Sequence, residues 1–281
     1  MQQGNNNKGG IPSWRWGNVT APDKTAHGTP LVSVVTIVKN GADVLERTIQ
    51  SVAGQSYPEY EYVVIDGGSS DGSLNIIKSY EKAITSWTSE PDRGIGDAFN
   101  KGVARSRGEW IIFMNAGDSF VDSHVLQKFS EVLRESGRFD IIHGDVQQVD
   151  KFGKCIRTVG GPLNRRKFKF HMSVPHQAIF HNRAFFDRYG LFDTSLKMAM
   201  DYELLTRKKD LQVLHVAAPV AATLVGGVSQ QNYRKLILEM RSIRERNIGP
   251  STLLSDGRYF LTYAKVSVVL LLRRVFGEQF I

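Results

Sequence analysis

The chain has 281 residues, 41% of them hydrophobic and 23% charged, with a formal net charge of +8 at pH 7. This length is enough for one large domain, or a domain with a tail, that buries a full hydrophobic core. The single cysteine, Cys155, excludes a disulfide framework within the chain and a multi-cysteine metal site. The positive charge favours an anionic partner, and charge alone leaves nucleic acid, a phospholipid surface and a phosphorylated substrate open.

The start of the chain differs in composition from its middle. Residues 1–29 are rich in Asn, Gly, Thr and Pro without apolar periodicity, which predicts a flexible N-terminal arm. The first residues, MQQGNNNKGG, do not resemble a secretory signal, and no stretch of the chain reaches the roughly 18 to 20 apolar residues of a membrane-spanning helix. We therefore expect a cytoplasmic protein.

Residues 248–281 predict an amphipathic basic tail. The stretch YFLTYAKVSVVLLLRRVFGEQF combines a short apolar run with Lys265, Arg273 and Arg274. One interpretation is a terminal helix packed on the core or on another chain, and the other is a basic helix lying on an anionic membrane surface. The second interpretation would place the protein peripherally on the inner face of the cell membrane.

The organised part of the chain begins with a strand and then alternates between helix and strand. The β-branched run PLVSVVTIVKN predicts a strand buried on both faces, and GADVLERTIQSVAGQ predicts the helix after it. The later segments are a strand in YEYVVID, a helix in SLNIIKSYEK, a strand in ITSWTSE, a helix in IGDAFNKGVARSRG, a strand in EWIIFMN, a helix in SHVLQKFSEVLRES and a strand in FDIIHGDV. This alternation predicts an α/β fold with a Rossmann-like, mostly parallel central sheet flanked by helices. Ligands bind beyond the carboxyl ends of such strands, so the loops after Val38, Ile65, Glu90 and Met114 should converge.

The pattern changes near residue 144. The stretch GDVQQVDKFGKCIRTVGG has two short alternating runs around DKFGK and predicts a β-hairpin. Further along, SQQNYRKLILEMRSIRERN predicts an amphipathic helix capped by Ser229, with Tyr233, Leu236, Ile237 and Met240 on its inner side. We therefore divide the folded region, residues 30–247, into halves covering 30–143 and 144–247.

Acidic residues stand at or just beyond the predicted strand ends, at Asp66, Asp71, Asp97 and Asp118. Positions of this kind face one crevice in a doubly wound sheet, so a basic chain has placed acids where a ligand would sit. Asp71, in SSDGS, is most simply a cap for the helix that begins near Ser73. Asp66 is the last residue of its strand, and the glycines behind it allow close approach of a planar group.

Several chemistries are excluded by missing motifs. GIGDAFNKG has Phe99 at the third glycine position of the dinucleotide fingerprint, and the chain has no GxxxxGK[ST] loop, no GxSxG elbow and no HExxH. The run RRKFKF mixes cations with aromatics as single-strand nucleic-acid binders do, but a solvated or phosphate-facing loop is the better explanation of one such run without a recognisable binding module. We therefore expect no nucleic-acid partner.

The succession of motifs resembles the family 2 glycosyltransferases, which have the GT-A fold. The segments are VSVVTIVKN, QSYPEYEYVVIDGGSSDGS, GIGDAFNKGVARSRGEWIIFMNAGD, PHQAIFHNRAFF, MDYELLTRK and GGVS, in order over residues 31 to about 247. The resemblance is to bacterial members that build surface polysaccharides. It implies inverting transfer of a sugar from a nucleoside diphosphate sugar to an acceptor hydroxyl, with a nucleotide-sugar half at 30–143 and an acceptor half, including a small β region and C-terminal helices, at 144–247.

The resemblance also implies donor-binding residues. In that family the end of the first strand and the Asp after the second strand hold the nucleoside, which implies Thr36, Val38 and Asp66. The fourth-strand DxD motif holds a divalent metal, Mg²⁺ or Mn²⁺, on the diphosphate. Here the segment is NAGD, with Asn115 and Gly117 in the acidic positions and Asp118 next to them.

A single carboxylate is enough for a hard cation whose shell is completed by waters and phosphate oxygens, so Asp118 is the predicted metal ligand. Asn115 can bond a sugar hydroxyl or the ribose without adding charge. Asp97, close to a strand end, and Lys101 are further candidates on the donor side, and the cations Arg93 and Lys101 are the alternative to a metal for stabilising the leaving diphosphate.

The second requirement is a base for the acceptor hydroxyl. Family members commonly place it in a Glu-Asp pair that opens a helix, and here MAMDYELL keeps the acid as Asp201 with Met200 in the Glu position. Glu203 is the fallback, although two residues along a helix it points elsewhere. His176 and Gln177, in PHQAIF, are implied to line the acceptor side.

These residues together predict a hexosyltransferase-type enzyme that adds single sugars to a saccharide or lipid-linked acceptor. The QxxRW motif of processive synthases is incomplete here, because QQNYRKL has no Trp. The alternative is a module that binds nucleotide sugars but has lost catalysis, which the reduced DxD motif and the missing Glu would permit.

Overall fold

The structure is a computed structural model, and it describes residues 28–150, 152–225 and 232–250 together with Gly257, Tyr259 and Leu261. The N-terminal arm up to residue 27, the predicted cap Ser229 and the tail cations Lys265, Arg273 and Arg274 lie outside the described residues. Of the predicted tail, Tyr259 donates a hydrogen bond to the Phe170 carbonyl at 3.2 Å.

The described chain alternates between strands and helices, as predicted. The strands are β1 (Val32–Val38), β2 (Tyr60–Asp66), β3 (Ser86–Ser89), β4 (Trp110–Phe113), β5 (Ser119–Phe120), β6 (Ile141–Val149), β7 (Cys155–Val159), β8 (Ile179–Asn182) and β9 (Val213–Leu224). The helices are α1 (Ala42–Ala53), α2 (Ser73–Ser79), α3 (Ile95–Arg105), α4 (Val125–Glu135), α5 (Arg165–Phe168), α6 (Arg183–Tyr189), α7 (Met200–Thr206) and α8 (Tyr233–Asn247), with single 3₁₀ turns at Glu81–Ala83 and His176–Ala178.

One sheet runs through both halves of the folded region, in the strand order β3-β2-β1-β4-β8-β6-β9-β5, with β7 paired to β6. Strands β1 to β4, in the nucleotide-sugar half, all run parallel. The prediction of a strand buried on both faces is confirmed for β1, in which every residue except Ile37 is buried, and β2 is buried throughout. The register pairs Val38 with Asp66, so β1 and β2 end at the same level and deliver their loops to one edge.

The acceptor half departs from the parallel pattern. Strand β8 enters antiparallel between β4 and β6, and β9 then runs parallel to β6 and antiparallel to β5. The predicted hairpin is confirmed as β6 and β7, which pair antiparallel around the turn at Asp150–Lys154. All five residues of β7 are exposed, because the strand pairs with β6 beyond the layers of helices.

Alternating side chains place an apolar layer on each face of the sheet. Helices α1, α2 and α4 cover one face, where Val34, Val64 and Ile112 pack with Ile49 and Phe129. Helices α3, α6 and α7 cover the other face, where Val35, Val63 and Ile111 pack with Phe99 and Leu204. The sheet is therefore packed between two layers of helices, which hold the loops at its carboxyl edge in place.

Close packing of α3 on β1 requires Gly102. A Cβ atom there would lie 2.4 Å from a methyl carbon of Val35, well inside van der Waals contact.

Within the part of the chain that the structure describes, no helix is long and apolar enough to span a bilayer.

Candidate active site

The loops that follow β1, β2, β3 and β4 meet at the carboxyl edge of the sheet, as predicted. The Asn40 amide N–H donates to the Ser69 hydroxyl at 2.8 Å, which joins the β1 loop to the β2 loop. Lys39 lies 3.6 Å from Asp92, which joins the β1 loop to the β3 loop. The Ala116 N–H donates to the Ile37 carbonyl at 3.1 Å, which ties the β4 loop to β1. This edge is a single connected surface.

Thr36 and Val38 lie at the end of β1 and are both buried. The Thr36 hydroxyl donates to the Met114 carbonyl at 2.7 Å and lies 3.0 Å from the Tyr62 hydroxyl. The Val38 carbonyl accepts from the Gly67 N–H at 2.8 Å. Both residues thus join the ends of neighbouring strands, and the Thr36 hydroxyl is already bonded within the protein.

Asp66 ends β2 with a fully buried carboxylate. It accepts from the Ser89 hydroxyl at 2.5 Å and from the backbone and hydroxyl of Ser69. Asp71 has the expected capping role, because it accepts from the Ser73 N–H at the start of α2 at 2.9 Å and from the Ala42 N–H at the start of α1 at 3.0 Å. The buried and multiply bonded carboxylate of Asp66 therefore holds the start of the β2 loop.

Asp97 and Lys101 form a separate polar network along the first turns of α3. Asp97 accepts from the Arg93 backbone N–H at 3.1 Å and from its guanidinium at 3.2 Å, and these contacts, the backbone one first, lower the pKa of Asp97. Lys101 donates to the Pro91 carbonyl at 2.9 Å and pairs with Glu90 at 3.1 Å. Both predicted cations, Arg93 and Lys101, are therefore paired with acids of their own loop.

The segment Asn115–Asp118 forms a tight turn after β4, and hydrogen bonds from α1 hold it in place. The Thr48 hydroxyl accepts from the Gly117 N–H at 3.0 Å and donates to the Asp118 carbonyl at 2.7 Å. Gly117 has a φ of +99°, a conformation that residues with a side chain rarely adopt. Glycine at this position is what lets the turn present Asn115 and Asp118 together.

Asp118 lies deep in this turn, although part of its surface is exposed. Loss of hydration raises the pKa of its carboxyl to about 7, while the Arg47 charge and a hydrogen bond from the Gln177 side chain act in the opposite direction. Arg47, on α1, donates to the Gly117 carbonyl, and its Nε atom is buried without a partner among the described residues. Burial lowers the pKa of Arg47. The carboxyl of Asp118 is therefore poised to exchange its proton for a cation near neutral pH.

The 3₁₀ turn His176–Ala178 interacts both with Asp118 in the β4 turn and with Asp201. Gln177 bonds Asp118, and the ring of His176 lies among Phe99, Phe113 and His181. Both ring nitrogens of His176 are buried without a hydrogen-bond partner in the described chain. Burial lowers the pKa of His176, so its imidazole is neutral at pH 7.

Asp201 is the second residue of α7 and interacts electrostatically with His176. Its carboxylate accepts from the Tyr202 N–H at 2.7 Å. Burial raises the pKa of Asp201. A carboxylate with a raised pKa holds a proton more strongly, which suits it to act as a general base.

Glu203, the fallback base, has a different role. Its buried carboxylate accepts from Arg207 Nε at 3.0 Å and lies 3.1 Å from the guanidinium of Arg246 on α8. The Asn247 side chain also reaches the Glu203 carbonyl, at 3.3 Å. Glu203 therefore neutralises two cations between α7 and α8.

The oxygen atoms of the β4 turn fit a hard divalent cation. The Asn115 side-chain oxygen is buried and has no hydrogen-bond partner within the described residues, and the Asp118 carboxylate is its neighbour in the same turn. The described residues contain no group of three or more His, Cys, Asp and Glu side chains suited to a metal ion. Mg²⁺ and Mn²⁺ are commonly held by one or two protein oxygens, with phosphate oxygens and water completing the shell.

The structure thus connects Asp118, Gln177, His176 and Asp201, whereas Asp97 and Lys101 bond within their own loop. Arg47 is the functional residue that sequence reasoning missed. The available signal was topological: α1 follows β1, β1 pairs with β4, and so the inner face of α1 must lie beneath the β4 loop.

Two relatives of this chain have names that describe them as glycosyltransferases. A Mycobacterium tuberculosis protein named "Uncharacterized glycosyltransferase Rv1514c" is 35% identical over 181 residues, which cover 63% of this chain and 68% of the relative. A Mycobacterium bovis "PGL/p-HBAD biosynthesis glycosyltransferase" is 28% identical over 183 residues, which cover 63% of this chain and 69% of the relative.

Solved structures share the fold. The mannosyltransferase PcManGT from Pyrobaculum calidifontis, in complex with GDP-Man and Mn²⁺, superposes with a TM-score of 0.62 at 15% identity, over 90% of this chain and 77% of that one. Staphylococcus aureus TarS 1–349, in complex with UDP-GlcNAc, gives a TM-score of 0.59 at 16% identity, over 77% of this chain and 67% of that one. The fold class is therefore that of the GT-A glycosyltransferases.

The family match ends before the predicted base. The model for "Glycosyl transferase family 2" covers residues 33–190, from β1 through α6 and including the β4 turn, while Asp201 lies beyond it. This stretch is more than half of the chain. The chain belongs to glycosyl transferase family 2 and is a glycosyltransferase.

Proposed function

We propose that this enzyme transfers a sugar from a nucleoside diphosphate sugar to a hydroxyl of a lipid-linked saccharide, with inversion at the anomeric carbon, during assembly of a bacterial surface polysaccharide or glycolipid. The observation that carries the proposal is the turn His176–Ala178. Its Gln177 bonds Asp118 on the proposed donor side, and its His176 lies within electrostatic range of Asp201 on the proposed acceptor side. A donor site and a base thus flank one rigid turn.

The donor is proposed to lie across the carboxyl edge of β1, β2 and β4. Val38 and Asp66 would border the nucleoside, and the buried hydroxyl of Thr36 supports that edge from inside the sheet. Asn115 offers an unpartnered side-chain oxygen toward the ribose or the sugar. Asp97 and Lys101 are proposed to border the same donor pocket, with their loop charges already balanced against each other.

Asp118 would hold Mg²⁺ or Mn²⁺, while the Asn115 oxygen bonds the donor. When bound, such an ion neutralises the charge that develops on the leaving nucleoside diphosphate. The names of the solved relatives are consistent with this class of ligand, since one was solved with GDP-Man and Mn²⁺ and another with UDP-GlcNAc. Arg47, beneath the turn, contributes a fixed positive charge close to the same carboxylate.

Asp201 would accept the proton of the acceptor hydroxyl. As that proton leaves, the hydroxyl oxygen attacks the anomeric carbon from the face opposite the nucleoside diphosphate, and the bond to the diphosphate oxygen breaks. A single displacement of this kind inverts the configuration. The neutral ring of His176 and the side chain of Gln177 would line the acceptor side.

The test is transfer from a panel of UDP, GDP and dTDP sugars to a lipid-linked saccharide, with the product configuration read by NMR. The variants are Asp201→Asn and, as a control, Asp210→Asn, an exposed acid near the end of the same half. We expect activity for the wild type and the control and its near-complete loss in Asp201→Asn. Undiminished turnover by Asp201→Asn would refute the base assignment, and retention of configuration would refute the mechanism.

The alternative function is a nucleotide-sugar-binding module without catalysis, which the single carboxylate of the β4 turn favours. Calorimetry separates the two, because the module would bind a nucleotide sugar but transfer its sugar to no acceptor.

We further propose that the enzyme works in the cytoplasm at an anionic membrane surface. Co-sedimentation with vesicles containing anionic lipid tests this part, and equal recovery with neutral vesicles would contradict it.

A further inference from the structure

Helix α7, which carries Asp201, begins without a cap of its own. Its N-cap position is Ala199, whose methyl side chain cannot accept a hydrogen bond. The amides at the start of a helix have no partner within the helix, and an unpaired buried N–H destabilises the fold. Of the amides at the start of α7, that of Tyr202 donates to the Asp201 carboxylate, and that of the N-cap residue Ala199 donates to a residue outside the helix.

The residue outside α7 is Glu239 on α8, which also holds the two amides before Ala199. One carboxylate accepts from three consecutive backbone N–H groups: Lys197 at 3.0 Å, Met198 at 2.9 Å and Ala199 at 3.0 Å. Hydrogen bonds to an ionised acceptor are roughly twice as strong as neutral ones. The negative charge also lies where the helix dipole of α7 favours it. Glu239 thus fixes the backbone that enters α7.

Helix α8 is itself held along the whole of α7. Leu236 and Ile243 pack on the buried ring of Tyr202. At the far end, Asn247 donates to the Thr206 hydroxyl at 2.9 Å, and Arg246 lies 3.1 Å from Glu203. The two helices are therefore clamped at both ends, with Glu239 at the end nearest the site.

Asp201 depends on this clamp for its direction. Its carboxylate bonds an amide of its own helix, that of Tyr202, so the first turn of α7 determines where the carboxylate points. Ala199 and Asp201 are two residues apart, and a displacement of the entering backbone passes directly to Asp201. Misplacement of a reacting group by about 1 Å can cost on the order of 100-fold in rate.

We propose that Glu239 is a positioning residue for the proposed reaction, acting through the amides of Lys197–Ala199 to aim the carboxylate of Asp201 at the acceptor hydroxyl. The inference rests on the proposed function, since it takes Asp201 as the base. It assigns a catalytic consequence to α8, a helix beyond the residues that the family model matches.

The test compares Glu239→Gln with Glu245→Gln. Glu245 lies on the same helix and pairs with Arg241 at the surface at 3.3 Å, which makes it a matched control. In Glu239→Gln we expect kcat to fall by about tenfold or more while the KM for the donor changes by less than about twofold, since the donor side is untouched. Glu245→Gln should behave as the wild type.

A double variant distinguishes positioning from general loss of structure. If Glu239 acts through Asp201, adding Glu239→Gln to Asp201→Asn should lower the remaining activity by no more than about twofold. An equal further loss in that background, or a wild-type kcat in the folded Glu239→Gln variant, would overturn the inference.

Hydrogen exchange supplies a readout that does not depend on turnover. The amides of Lys197–Ala199 should exchange faster in Glu239→Gln than in the wild type and in Glu245→Gln, and unchanged protection would overturn the inference. The two failures are distinguishable. A wild-type chain that transfers no sugar from any donor refutes the proposed function, whereas an active chain with a normal Glu239→Gln variant refutes this inference alone.

Discussion

Replacing Asp118 by Asn should stabilise the metal-free protein, although it removes a predicted ligand. Burial raises the pKa of this carboxyl from its ordinary value of 3.8 to about 7. The folded state therefore keeps a proton that the unfolded chain releases. The resulting penalty is absent below about pH 3.8, grows as the pH rises toward 7, and is constant above it.

The size of the effect follows from the two pKa values. Each pH unit between them corresponds to about 1.4 kcal/mol, so the interval from 3.8 to about 7 sets an upper bound of about 4 kcal/mol. Because the residue is partly exposed, solvent screening reduces this bound. Between pH 5 and pH 7.5 we expect the advantage of Asp118→Asn to grow by about 1 to 2 kcal/mol.

The assay is urea unfolding in the presence of a chelator, followed by tryptophan fluorescence at the two pH values, with Asp210→Asn as the exposed control. A difference between Asp118→Asn and the wild type that does not change with pH would refute the reasoning. Adding Mn²⁺ should make the wild type more stable than Asp118→Asn, because a ligand that binds only the folded wild type raises its stability. Equal stabilisation of both chains by Mn²⁺ would remove Asp118 from the metal site.

Three further changes have expected outcomes. Asp201→Asn should lower kcat by about 10²- to 10⁴-fold while the donor affinity measured by calorimetry stays unchanged, and a weakened donor affinity would place Asp201 on the donor side instead. Arg47→Met removes a charge that lowers the pKa of Asp118. The pH midpoint of Mn²⁺ binding, followed by thermal shift, should therefore move upward, and a downward shift would contradict this electrostatic role. Glu203→Ala leaves two arginines without their buried partner and should cost about 3 kcal/mol in urea unfolding, with kcat per folded molecule unchanged; a loss of kcat instead would restore Glu203 as a candidate base.

Local patterns were sufficient to predict the nucleotide-sugar half. The β-branched runs and the amphipathic helices between them predict β1 through β4 and then α4 in order, because burial on two faces and burial on one face leave different periodicities in a sequence. The two-residue strand β5 was not predicted. The hairpin of β6 and β7 was also predicted from alternation. The acids at the strand ends, Asp66 and Asp118, could be located because parallel strands of alternating α/β units all end at one edge.

The acceptor half could not be predicted in the same way. Strand β8 is only four residues long, and its place between β4 and β6 depends on antiparallel pairing with segments far away in the chain. No periodicity in PHQAIFHN distinguishes this arrangement from an ordinary loop followed by a strand.

The partners of the site residues were likewise decided by the tertiary structure. Arg47 meets the turn of Asp118 across 71 positions of sequence, and Glu239 meets Lys197 across 42. Residue type and spacing indicate which side chains are able to carry charge or accept a proton. Which of them are buried, which are paired and which remain without a partner depends on packing between distant segments, because desolvation and hydrogen bonding act through space.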